Sequence, residues 1–149
     1  MKGLVIDASI AIKWVVEEPG TSEALILRER AKLIAPDLLV PECANILRKK
    51  VRRQELTRDE AVLAARLLQG AEIELFPTRS LLQAATQLAI DLDHPAYDCL
   101  YLALALESHF RFATADDRFV RKLKQRHNRE HGDTVMSLGE AAAVATLER

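Results

Sequence analysis

A chain of 149 residues, 49% hydrophobic and 29% charged, has the composition of one ordinary globular domain spanning residues 1–149, which excludes a disordered or low-complexity polypeptide. Twenty-one Lys and Arg against 22 Asp and Glu leave a formal charge of −1, which excludes the uniformly basic balance of a dedicated duplex-DNA binder. Two cysteines, Cys43 and Cys99, form neither a disulfide framework nor a CxxC pair, and the longest apolar run, Cys99–Leu106, falls far short of the roughly 20 residues a membrane helix needs; a soluble, cytoplasmic protein with no membrane partner is expected.

Gly3-Leu-Val-Ile6 is a short apolar run ending at Asp7 and reads as a buried strand; it is too short for a signal-peptide core of about 7–15 residues. Ser9 opens a short helix with Ile10 and Trp14 one turn apart, stopped by Pro19-Gly20. Thr21 to about Arg30 reads as a second helix, Lys32–Ala35 as a second strand. A helix from about Leu39 to Arg53 follows, its expected core stripe being Val40, Ala44, Leu47 and Val51. Thr57-x-x-Glu60 is a capping box opening a helix that should end at Gly70. Ile73–Phe76 reads as a third strand, Ser80–Leu92 as a helix broken at His94-Pro95, and Ala96 to about Ser108 as a very apolar helix. Phe110–Ala113 reads as a fourth strand. Asp116 or Asp117 should cap a polar helix reaching about Arg126, Thr134–Met136 is a short last strand, and Ser137-x-x-Glu140 is a second capping box. Short apolar strands alternating with helices imply an α/β fold with a mostly parallel sheet, whose active site lies beyond the carboxyl ends of the strands where strand order reverses.

Two acids stand at such ends, Asp7 and Asp116. Each also has a plain structural reading as a helix cap. Asp98 resists that reading: its helix is apolar almost all round, and the 0.3–1 kcal/mol available from the helix dipole is small against the several kcal/mol that an unpaired buried carboxylate costs. Glu42, some 200° around its helix from Val40, could simply belong to a solvated face with Asn45, Lys49 and Arg53. Together, however, four carboxylates converging on one end of a sheet repel one another unless a divalent cation neutralises them, and oxygen-only ligation suits Mg²⁺ or Mn²⁺. Metal-dependent phosphodiester hydrolysis is the reaction this chemistry serves best.

At these residues the sequence resembles the PIN-domain nucleases and, within them, the VapC-type toxins of prokaryotic toxin–antitoxin pairs. The resemblance rests on Val5-Ile-Asp7-Ala-Ser9, Lys13-Trp14, Pro41-Glu42-x-x-Asn45-x-Leu47, Asp98-x-x-Tyr101-Leu-Ala-Leu-Ala and Ala113-Thr114-Ala-Asp116, in order, over about Leu4 to Leu138. It implies a three-layer α/β/α sandwich around a five-stranded, mostly parallel sheet, and an RNA endonuclease using Mg²⁺ or Mn²⁺. By position, Asp7, Asp98 and Asp116 would hold the metal, Glu42 would help orient the attacking water, and Ser9, Asn45 and Thr114 would position the carboxylates. The neighbouring Asp117 competes with Asp116 for its role; the Thr-x-Asp spacing favours Asp116. The resemblance further implies a homodimer and a small VapB-like antitoxin, with DNA contacted only indirectly through an antitoxin complex.

The near-neutral charge conceals a division. Residues 48–53 carry five cations and no acid, and residues 118–129 carry six and no acid. Each segment reads either as a solvated helix face or as a grip on the RNA backbone, with Lys49, Arg53, Arg121 and Lys124 as the contacts. His127-Asn-Arg-Glu130-His131 fits a zinc-protease spacing but lacks the apolar periodicity of a buried metal helix. His94 and His109 fall at helix ends, where hydrogen-bonding or solvent-exposed roles are expected. Cys43 and Cys99 read as small buried packing, and Trp14 as a core or dimer anchor. Two other functions compete: a phosphatase with Asp7 as covalent nucleophile, which would want Asp-x-Asp where this chain has Asp7-Ala-Ser9, and a catalytically silent module that binds RNA or a protein.

Overall fold

The computed structural model describes residues 3–125 and 129–148. Five strands, β1 (Leu4–Ile6), β2 (Leu33–Pro36), β3 (Glu74–Phe76), β4 (Arg111–Thr114) and β5 (Val135–Ser137), form one sheet in the order β3-β2-β1-β4-β5. Every pairing is parallel; Val5 stands between Ile34 and Phe112, and Ala113 stands opposite Met136. The strands are short and apolar because the central ones are covered on both faces. All three residues of β1 are 0% exposed.

The helices are α1 (Ala8–Ala11), α2 (Thr21–Arg30), α3 (Leu39–Arg52), α4 (Arg58–Gln69), α5 (Leu82–Leu92), α6 (Ala96–Ser108), α7 (Asp117–Lys124), α8 (Arg129–Gly132) and α9 (Leu138–Leu147). Right-handed crossovers place the helices that precede β3 on one face and those between β3 and β5 on the other, because the chain moves one way along the sheet to β3 and then jumps back past β1 to β4. Packing agrees: α1 meets α3, α2 meets α9, and α6 lies across β1, β2 and β4 with α5 against it. The result is the expected three-layer α/β/α sandwich. Strand order reverses between β1 and β4, so the crevice outside their carboxyl ends is where an α/β sheet binds ligands.

Both capping boxes form. Thr57 Oγ1 accepts the Glu60 N–H at 3.1 Å while Glu60 Oε1 accepts the Thr57 N–H at 2.8 Å, and Ser137 and Glu140 repeat the arrangement at 3.1 and 3.3 Å. Two local expectations are corrected. The first helix is not continuous to Trp14: α1 ends at Ala11 and a 3-10 turn covers Ile12–Trp14, which lets Trp14 Nε1 donate to Ala24 O at 2.8 Å and lean on the core as a packing anchor. In α3 the buried residues are Leu39, Cys43 and Leu47; of the expected stripe Val40, Ala44, Leu47 and Val51, Leu47 alone is buried. Val40 is 57% exposed. Both stripes have helical spacing; packing against α1 and α4 selects between them, and the rotation that buries Cys43 leaves Glu42 within reach of Tyr101.

Of the four acids, the expectation that Asp98 lies in a buried helix holds for its neighbours, since Cys99 and Tyr101–Ala105 are buried. The two cysteines are free and buried, as packing residues would be. Of the histidine-rich segment, residues 126–128 lie outside the described residues, as do the side chains of Arg129 and Glu130. No described helix is long and apolar enough to cross a membrane.

Candidate active site

Asp7 follows β1 and occupies the N-cap position of α1, yet its side chain makes no cap hydrogen bond. The plain structural reading of this residue therefore fails. Its two oxygens instead accept from two hydroxyls, Oδ1 from Ser9 at 2.5 Å and Oδ2 from Thr114 at 2.6 Å. Both hydroxyls are oriented by the backbone of the β4 end: Ser9 Oγ accepts the Ala115 N–H at 3.1 Å and Thr114 Oγ1 accepts the Asp116 N–H at 3.0 Å. A hydroxyl that accepts from a peptide group has its proton left to give, so Ser9 and Thr114 are fixed as donors to the carboxylate. Ser9 and Thr114 thus stand beside Asp7 where positioning residues would.

Three carboxylates share one electrostatic field. Burial pushes the Asp7 carboxyl up to about 6, opposed by the Ser9 and Thr114 hydrogen bonds and reinforced by the charges of Asp98 and Glu42. Glu42 is half-buried; its carboxyl is raised by burial, opposed by a hydrogen bond from Tyr101 and raised further by Asp98. Tyr101, 1% exposed, donates its hydroxyl to Glu42 Oε1 at 2.5 Å. The phenol proton is held firmly, because burial and the adjacent Glu42 carboxylate both oppose the phenolate. Cys43, next to Glu42, is pushed up to about 12, by burial first and then by Glu42 and Asp7; it is a packing thiol with no nucleophilic form at neutral pH.

Asp98 is neither fully buried nor unpaired. Its side chain is 31% exposed and its Oδ2 lies 2.6 Å from His94 Nε2. Asp116 stands apart from these three. Its Oδ1 accepts the N–H groups of Arg118 and Phe119 at 3.1 and 3.2 Å, the N-cap of α7, and its link to the cluster is the Thr114 hydroxyl that its own N–H orients. Asp117 is exposed in the first turn of α7. Asn45 is not brought to the carboxylates: it is exposed, and its Oδ1 accepts from Arg48 Nε at 3.1 Å.

The basic segments divide as well. Lys49, Arg53, Arg121 and Lys124 are exposed, and Lys124 reaches Glu140 at 3.3 Å. Lys50 turns inward, 2.7 Å from Glu18, which also holds Lys13 at 2.9 Å. That ion triad ties α3 to the loop after the 3-10 turn and removes Lys50 from any outward grip.

Two residues were missed as contributors to the site by sequence reasoning, Tyr101 and His94. Their signal is spacing, three residues after and four before Asp98, but only the tertiary contacts of Tyr101 with Glu42 and of His94 with Lys122 reveal what each touches. Among the described residues no group of three or more His, Cys, Asp or Glu stands as a preformed metal cage. An Mg²⁺ site does not require one, since that ion takes one or two protein carboxylates and fills its octahedron with water and substrate phosphate. Oxygen donors whose charges raise one another's proton affinity are also the donor set that a hard divalent cation relieves.

The PIN domain family profile matches residues 4–124. No curated protein sequence matches the chain. Among solved structures, PAE2754 from Pyrobaculum aerophilum is similar with a TM-score of 0.70 and 15% identity, covering 99% of this chain and 91% of that one. VapC20 of Mycobacterium tuberculosis, a sarcin-ricin-loop-cleaving toxin, is similar with a TM-score of 0.59 and 13% identity, covering 76% of this chain and 88% of that one. At such identities the two structures speak for a shared fold.

Proposed function

Because this chain belongs to the PIN domain family, we propose that it is an RNA endonuclease dependent on Mg²⁺ or Mn²⁺, and that it serves as the VapC-type toxin of a toxin–antitoxin pair. The observation that carries the reading is the mutual charge coupling of Asp7, Glu42 and Asp98 at the sheet's switch point, with Asp7 raised to about 6. Carboxylates so placed are unfavourable in the bare fold and become favourable around a cation. Asp7 and Asp98 hold the ion, with Asp116 joining from the start of α7. The bound ion supplies positive charge at the scissile phosphate and makes water a better nucleophile there.

The remaining work is the chain's own. Ser9 and Thr114 keep both oxygens of Asp7 in place. Glu42, held by Tyr101, accepts a proton from the attacking water or orients it, a role for which a raised carboxyl is suited. The exposed Lys49, Arg53 and Arg121, with Lys124, hold the phosphate backbone and supply affinity without sequence information. The chain acts as a homodimer in the cytoplasm, a VapB-like antitoxin restrains it, and DNA is met only through that complex. VapC20 cleaves the sarcin-ricin loop, which makes a sarcin-ricin-loop RNA the first substrate to try.

The experiment is cleavage of total RNA by the purified protein with Mg²⁺ or Mn²⁺, with and without EDTA, beside Asp7→Asn and Asp98→Asn. Activity that needs the ion and disappears in both variants is expected. Cleavage indifferent to EDTA, or retained in both variants, refutes the mechanism.

A further inference from the structure

His94 is the one residue of the α5–α6 connection whose ring reaches both a candidate ligand and a basic helix. Its backbone is fixed first: Asp93 ends α5 in the left-handed region at φ 49°, and the His94 N–H donates to Ala89 O at 3.0 Å. The ring then makes three contacts. Nε2 lies 2.6 Å from Asp98 Oδ2, Nδ1 lies 3.2 Å from Lys122 Nζ, and the ring packs at a 45° tilt against Phe119 with centroids 4.6 Å apart. Lys122 Nζ also donates to Asp93 O at 2.9 Å. The imidazole is 15% exposed.

An ammonium can only donate. His94 Nδ1 must therefore accept from Lys122, the ring proton sits on Nε2, and that proton is given to Asp98. The direction of the chain Lys122 to His94 to Asp98 is thus assigned by hydrogen-bond inventory. Helix geometry explains why Asp98 is available to it. Asp98 is the third residue of α6, where an acid ordinarily reaches back to the N-cap N–H to complete a capping box; the N-cap here is Pro95, which has no N–H to give. With its usual partner missing, the carboxylate is held by the histidine one residue further back.

We propose that His94, oriented by Lys122, is the positioning residue of Asp98. By occupying Oδ2 it stops the carboxylate from rotating and presents the other oxygen to the cleft, so that the site needs less ordering when a divalent cation arrives. The proposal rests on the reading of Asp98 as a metal-holding residue. It also separates Lys122 from the outward cations of its segment: its ammonium serves the site from within, while Arg121 on the same helix faces solvent.

The test uses Mn²⁺ alone as the probe, titrated into the full chain and followed by calorimetry. His94→Phe keeps an aromatic ring against Phe119 but has no donor, and it is expected to weaken Mn²⁺ binding by about 10–100-fold, the usual loss when such a partner is removed. His94→Gln, whose amide can donate to Asp98 and accept from Lys122, is expected to recover most of the affinity. A merely structural role for the ring predicts the reverse order. Wild-type affinity in His94→Phe, or a Gln variant no better than the Phe variant, overturns the proposal. Asp98→Asn separates it from the reading beneath: lost binding there with wild-type binding in His94→Phe removes the positioning role alone, and wild-type binding in both removes the metal site at Asp98 as well. If the His94 variants do not fold, the ¹⁵N spectrum of the wild-type His94 ring decides: an Nε2-protonated tautomer is expected and an Nδ1-protonated one overturns the assignment.

Discussion

Replacing Asp7 by Asn removes one charge from the most buried carboxylate of the site and leaves the shape unchanged. The carboxyl is raised from 3.8 to about 6, and each unit is worth about 1.4 kcal/mol, so the ionised form burdens the metal-free fold by about 3 kcal/mol at pH 8. The sign follows from proton binding. An acid whose proton affinity is higher in the folded state stabilises the fold below its unfolded value near 4, and that contribution is lost as pH rises through 6. About half of the effect, roughly 1.5 kcal/mol, develops between pH 5 and pH 8. The amide also disturbs the pair Ser9 and Thr114, both of which already accept from a peptide N–H, because one of the two hydroxyls loses its acceptor oxygen; that cost is the same at both pH values and cancels in the comparison. Urea denaturation of wild type and Asp7→Asn at pH 5 and pH 8, in EDTA, should therefore give a difference that favours the variant by roughly 1.5 kcal/mol more at pH 8. Mn²⁺ added at pH 8 should stabilise the wild type and leave the variant unmoved. A wild-type-to-variant difference independent of pH would refute the argument that Asp7 is held as a strained carboxylate.

Other substitutions probe the remaining parts. Tyr101→Phe deletes the hydroxyl that holds Glu42, and it should cost about 1–2 kcal/mol by denaturation; since that hydrogen bond lowers the Glu42 carboxyl, its loss should move the acid limb of the cleavage pH profile upward, and an unmoved limb would disconnect Glu42 from catalysis. Thr114→Val, nearly isosteric and 1% exposed, removes both a donation to Asp7 and an acceptance from the Asp116 N–H. A loss of roughly 2–3 kcal/mol is expected at pH 8, with a smaller loss at pH 5 where Asp7 is more protonated. Charge reversal at Lys49 and Arg53, or at Arg121, should weaken RNA binding and flatten its salt dependence without changing thermal stability, read by filter binding across a salt series. Thr57→Ala tests the fold away from the site: it opens the α4 capping box and should cost about 1 kcal/mol with cleavage unchanged.

What the sequence determined by itself is local and periodic. Buried strands, capping boxes and helix stops are written in a few adjacent residues, so Leu4–Ile6, Thr57-x-x-Glu60 and Ser137-x-x-Glu140 could be read where they stand. The resemblance carried the five-stranded parallel sheet and the four acids, while the strand order came from the structure. The rotation of α3 was not legible, since Val40, Ala44, Leu47 and Val51 are as helical in spacing as Leu39, Cys43 and Leu47, and only packing against α1 and α4 chooses between them. The roles of individual polar groups were hidden for a related reason. Whether Asp7 caps a helix or accepts two hydroxyls depends on Thr114, which lies 107 residues away. The pairs Tyr101 with Glu42 and His94 with Lys122 likewise join segments whose separation in sequence carries no information about contact. Composition and period act through a residue's own neighbours. The direction of a hydrogen bond and the proton affinity of a buried carboxylate depend on which distant groups the crossovers bring to the same end of the sheet.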